Sequence, residues 1–206
     1  VTRTLILPGY MGSGPDHWQQ HWLNDNPGSE FVEQDDWERP DLDTWLARLE
    51  DRLDVSEDVI LVAHSLGCLL AARLAGRASA EKIRGALLVA PCHLDRTEQL
   101  HPDAIDFGEM PEKRLPFPSL LIGSLNDPYM PFEQCRRYAS LWGSDLIDLG
   151  YAGHINVASG FGRWTNGYGF LSLFKRNRPA GFAGRLPEMA SHRAFRGLVR
   201  DRRLLP

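Results

Sequence analysis

The sequence predicts an α/β fold, a mostly parallel sheet of about six strands with helices on both faces. Three observations carry this expectation. Short, near-continuous apolar runs recur along the 206 residues, as strands buried on both faces require. Longer stretches with apolar residues at helical spacing separate them. One run, "VILVAHSLGCLL" at residues 59–70, passes from strand-like to helix-like through His64, Ser65 and Gly67 with no linker between.

In chain order, "TLILPG" is the first strand, and the glycine-rich loop "GYMGSG" follows it directly. "PDHWQQHWLND" reads as a helix opened by the capping-box pattern Ser13-Gly14-Pro15-Asp16. After a weak strand, "SEFVEQ", the segment "DLDTWLARLEDRL" places Leu42, Trp45, Leu46, Leu49 and Leu53 on one helical face with charges opposite. The strand Val59 to Ala63 then turns at His64-Ser65-Leu66 into a helix from Gly67 onward. "ALLVAP" is the next strand, and residues 91–118 leave it with five prolines and no sustained periodicity. This excursion is either a mobile cap over a ligand-binding edge or a surface detour. "SLLIGS" and "DLIDLG" close the sheet, separated by a helix "PFEQCRRYASLWG" with Pro131 early and Gly143 past its end.

Composition narrows the function classes. The 43% hydrophobic and 24% charged residues suit one globular domain, here residues 1–175. That stretch is strongly acidic and should repel nucleic acid, whereas residues 176–206 carry eight arginines against Glu188 and Asp201. Within this basic tail, Phe195, Leu198 and Val199 line one side of a helical pattern ringed by arginines. Such a face could dock on the acidic body or on a second copy of the chain, with an anionic membrane as a weaker partner and disorder as the plain alternative. Cys68, Cys92 and Cys135 are too few and too scattered for a disulfide framework or zinc knuckle, so a reducing, cytoplasmic setting is expected. No apolar run reaches spanning length, and none near the start resembles a signal segment.

The chemistry concentrates around Ser65. Ala63-His64-Ser65-Leu66-Gly67 is a nucleophile elbow with alanine at the position usually held by glycine. A strained strand-to-helix turn of this kind projects the serine hydroxyl from the sheet edge, and the Leu66 amide then points where an oxyanion would develop. The plain alternative is a serine that only caps a helix. A hydroxyl nucleophile needs a base, and the base needs an orienting acid, which follow in the order acid then base. Asp127 stands just past "SLLIGS", and His154 stands in a glycine-flanked loop past the last strand. Asp95, also just beyond a strand, is the rival acid. The second oxyanion donor is expected from the amide of Tyr10, with Met11 next. Met11, Trp18, His93, Phe107 and Tyr129 are candidates for the pocket wall, and Trp18, like Trp22, reads equally as a core residue. His17 and His21 stand four apart on a helix as metal ligands can, but no third ligand is apparent, and neither metal nor cofactor is expected. His64, adjacent to the serine, cannot reach its hydroxyl and is expected to brace the turn through a hydrogen bond. Cys68 reads as a buried structural thiol.

The segments "LPGYMGSGPDHWQQHW", "QDDWERPDLDTWLARL", "VAHSLGC", "GSLNDPYMPFEQC" and "GHINVASGFGRW" together resemble the retinoblastoma-binding protein 9 family of small α/β-hydrolase serine hydrolases. The resemblance covers most of residues 4–165. It implies a metal-free hydrolase of the carboxylic-ester type, with Ser65, Asp127 and His154 as its triad, and nothing firm about the natural substrate. The short chain and modest cap favour small or short-acyl esters over long lipids, with thioesters and amides left open. The alternative is a non-catalytic interaction module on the same scaffold. The namesake's L-x-C-x-E contact segment corresponds to Leu53-Asp54-Val55-Ser56-Glu57, where valine replaces cysteine, so retinoblastoma binding is not implied.

Overall fold

The computed structural model describes residues 2–175; the basic tail and its expected contacts lie outside the described residues. Six strands form one sheet in the order β2-β1-β3-β4-β5-β6, with β1 at Arg3–Leu7, β2 at Ser29–Phe31, β3 at Val59–His64, β4 at Ile83–Val89, β5 at Ser119–Gly123 and β6 at Asp145–Asp148. Every pairing is parallel. All carboxyl ends therefore open on one edge, and that edge collects the loops bearing the candidate residues.

Strict alternation within the strands feeds two cores. Leu5, Leu7, Leu61, Ala63, Leu88 and Leu121 face one side, and Ile6, Ile60, Val62, Leu87 and Ile122 face the other. The first side is covered by α2 (Leu42–Asp54), α3 (Leu66–Ala72) and α5 (Phe132–Trp142), and the second by α1 (Trp18–Asp25) and α6 (Tyr168–Lys175). Helix α2 buries the expected Trp45, Leu46, Leu49 and Leu53, and Asp41 caps it by accepting from the Thr44 amide. Gly143 ends α5 in the left-handed conformation, as expected.

Two local readings need correction. Helix α1 does not start at the Ser13-Gly14-Pro15-Asp16 pattern; its cap is His17, whose ring nitrogen accepts from the Gln19 amide. A proline-containing turn over residues 14–17, closed by the His17 amide on the Gly14 carbonyl, leads into the helix instead, so the capping function passes to His17. Residues 91–118 contain a short helix, α4 (Leu94–Leu100), despite their lack of periodicity. The remainder is tied to the first core. Leu42 and Asp106 bond through their backbones, Arg73 donates to the carbonyls of Phe107 and Glu109, and the Trp142 indole donates to Pro111. No helix among the described residues is long and apolar enough to cross a membrane.

Candidate active site

Strand order reverses direction between β1 and β3, since the chain leaves β1 toward β2 and returns to β3 on the other side. The crevice at such a switch point is where open α/β sheets bind ligands. Ser65 sits there, immediately past β3, with φ 54° and ψ −120°. This conformation is one that side-chain-bearing residues rarely adopt, and the surrounding contacts enforce it. The Ser65 amide donates to the Val89 carbonyl of the neighbouring strand, and α3 departs at Leu66 without a break. Gly67 is required by proximity: a Cβ there would lie 2.2 Å from the Leu7 carbonyl oxygen. Gly9 is equally confined, its virtual Cβ falling 2.7 Å from that of Ser65 and 3.3 Å from the Leu66 nitrogen. The loop after β1 is thereby pressed against the elbow.

The other two side chains meet the serine. The Ser65 hydroxyl donates to His154 Nε2 at 2.9 Å, and His154 Nδ1–H lies 2.9 Å from both carboxylate oxygens of Asp127. All three residues are more than nine-tenths buried, so the chain of hydrogen bonds is shielded from competing water. Asp95, the rival acid, is not brought to this imidazole: its carboxylate is 85% exposed and stands 4.0 Å from His93. The acid and base loops are fastened to each other by side chains that the sequence reading did not single out. Asn126 accepts from the Gly153 amide, and Ser124 accepts from the Ala152 amide while donating to Asn126.

Behind these three side chains, His64 braces the loop of His154 instead of the turn, its Nε2–H donating to the His154 carbonyl at 2.9 Å. Trp18 Nε1–H does the same for Ile155, a β-branched residue held at φ 48°. Gln19, fully buried, donates to the carbonyls of Leu7 and Val62 at the ends of β1 and β3. A lone amide side chain on an otherwise apolar helix face was the available signal for it. His17 is engaged as a helix cap, and no cluster of metal-ligating residues is present among the described residues.

The amide of Met11 donates to the Trp37 carbonyl, so of the two candidate oxyanion donors in this loop Tyr10 is the one not committed there. Tyr129 stands against the base, its ring 4.4 Å from that of His154, and its amide donates to Asp127. Met11 is exposed on the loop, and His93 donates its amide to the Tyr129 carbonyl while its ring meets Tyr138. Two pocket candidates are core residues instead. Trp18 is fully buried among Trp22, His64 and Trp164 on the second face, and Phe107 packs edge-on against Trp45 on the first. Burying a large ring outweighs keeping it at a wet pocket wall. The thiols offer no rival nucleophile: burial pushes Cys92 up to about 11, Cys135 up to about 12 and Cys68 well above its usual value. A surface groove of about 520 Å³, lined by Glu30, Glu33, Arg48 and Asp51 among others, lies at the β2 edge and includes none of the triad.

With this geometry in place, the serine hydrolase family model matches residues 4–173. The chain belongs to the serine hydrolase family. Among solved structures, this serine hydrolase is similar to a protein described as a YdeN-like hydrolase from Pectobacterium atrosepticum, at 36% identity and TM-score 0.71, over 84% of this chain and 89% of that one. The ydeN product of B. subtilis is 22% identical with TM-score 0.68, over 86% and 100% of the two chains. A thermophilic esterase from Thermogutta terrifontis shares the fold at 14% identity and TM-score 0.58, over 84% and 81%. No curated protein matches the sequence.

Proposed function

We propose that the protein hydrolyses small or short-acyl carboxylic esters through Ser65, His154 and Asp127, by way of an acyl-enzyme. The observation that carries this reading is the unbroken hydrogen-bonded path from the Ser65 hydroxyl through the imidazole to a buried carboxylate. His154 Nε2 removes the hydroxyl proton as the oxygen attacks the acyl carbonyl, and Asp127 holds the tautomer in which Nδ1 keeps its proton. The carbonyl oxygen becomes an oxyanion between the amides of Leu66 and Tyr10, each such donor contributing about 3 kcal/mol to the barrier reduction. Collapse of the tetrahedral adduct expels the alcohol, which takes the proton from Nε2. Water then attacks the acyl-serine, giving a proton to Nε2, and the second adduct breaks to the acid and the free hydroxyl. The family membership, the esterase fold among the structural relatives, and the resemblance to the retinoblastoma-binding protein 9 group support the ester class. Leu53, fully buried in α2, adds to the reasons against carrying over that group's retinoblastoma contact. Three buried, free cysteines favour a reducing compartment.

The test is Ser65→Ala. It is expected to abolish turnover of p-nitrophenyl acetate and labelling by a fluorophosphonate probe, while leaving the circular dichroism spectrum unchanged. Labelling that persists in this variant would refute the assignment.

A further inference from the structure

Beyond the triad, three rings join the base to the loop pressed against the nucleophile. Tyr129 lies against the His154 imidazole. His101, which ends helix α4, stacks nearly parallel on Tyr129 with 10° between the ring planes, and its Nε2 is 2.8 Å from the Tyr129 hydroxyl. The same imidazole meets the Tyr10 ring at a centroid distance of 5.1 Å. Tyr10 follows Gly9, whose backbone leaves no room for a Cβ beside Ser65. The rings therefore run from the base, across the open edge, to the loop that abuts the serine.

Helix α4 is braced so that His101 is held in this position. At its start the His93 amide donates to the Tyr129 carbonyl, and at its end the His101 amide donates to Thr97, whose hydroxyl donates back to the His93 carbonyl. Helix α4 thus touches the Asp127 loop at both of its ends and the β1 loop at one. Ser65 and His154 are nearly excluded from solvent although they stand at an edge where the loops diverge.

We propose that His101 is a specificity-determining residue, wedged between Tyr10 and Tyr129 so that its ring fills the space a long acyl chain would need beside Ser65. This rests on the ester-hydrolase reading and gives it a chain-length limit with a named cause. Each methylene that gains burial on binding multiplies kcat/KM about fourfold. Removing the ring to admit two more methylenes therefore raises the long-to-short preference by about ten-fold or more.

The experiment compares kcat/KM for p-nitrophenyl acetate, butyrate and octanoate in the full chain and in His101→Ala, His101→Asn and His101→Phe. The octanoate-to-acetate ratio is expected to rise at least ten-fold in His101→Ala and part of the way in His101→Asn, which keeps a polar group in less volume. His101→Phe retains a ring and keeps the wild-type ratio. An unchanged ratio in the alanine and asparagine variants, both still labelled by fluorophosphonate, overturns the inference and leaves the hydrolase reading standing. A wild-type protein that takes neither ester nor probe overturns both.

Discussion

His17, His64 and His154 form a row in which neighbouring ring centroids lie 4.9 Å apart, and the first two are held neutral by their surroundings. Burial, then the nearby His154 and His21, lower His17 to about 4. Burial, then His154 and His17, lower His64 well below its usual value against the opposing pull of its bond to the His154 carbonyl. Neutrality suits both, since His17 must accept from the Gln19 amide and a charge on His64 would face the base. In the unfolded chain each titrates near 6.5. Below that pH the unfolded state binds protons that the native state refuses, so stability falls with falling pH until about 4 for His17 and further for His64; above 6.5 the contribution is constant. His17 by itself is expected to remove about 2 kcal/mol between pH 7 and pH 5. Urea unfolding at the two pH values checks this, and His17→Asn, which keeps a capping acceptor without titrating, should reduce the drop by about that amount and leave the His64 share. Equal stability of the wild-type protein at both values contradicts the account.

The elbow is a junction of two elements that approach as closely as backbones can. Helix α3 starts directly over the end of β1, and Gly67 is the point of contact. Gly67→Ala would set a methyl group against the carbonyls of Leu7 and Pro8, main-chain atoms of a central strand that cannot rotate away. A loss of about 3 kcal/mol or more is expected, read as a lower urea midpoint with unchanged slope. The alanine at the other small position causes no such conflict: Ala63 is fully buried within β3, paired with Leu7 and Leu88, and packs on the first core. The departure from the usual glycine pattern is therefore compatible with the turn.

Taken together, the two cores are not symmetric in what they do for the site. The first carries α3 and the tied-down excursion. The second holds the base loop from behind, through His64 and through Trp18, whose indole is the donor that fixes Ile155 next to His154. Trp18→Phe keeps an aromatic ring in that core but leaves the Ile155 carbonyl without its partner. An unsatisfied buried carbonyl costs about 1–3 kcal/mol. The variant is expected to unfold at correspondingly lower urea concentration and to lose kcat by roughly ten-fold, with KM little changed, because the base is displaced while the entrance is not. Retention of full kcat would separate the second core from the positioning of His154.

The strands, α2 and α5 and the elbow were legible before any coordinates, because alternation, capping and turn chemistry are imposed by residues close together in the chain. Asp127 was preferred to Asp95 from the sequence, but both follow a strand, and only the fold brings one of them to the imidazole. Phe107 read as a pocket wall and Trp18 as either wall or core, since aromatic character does not tell a core ring from a lining one until the neighbours that bury it are known. His101 carried no signal at all, its place depending on a proline-rich excursion that folds back without a repeat to announce it. Local sequence set which residues could turn, cap or react. Their meeting was decided by burial and hydrogen bonding between segments that are far apart along the chain, and those long-range energies have no one-dimensional pattern.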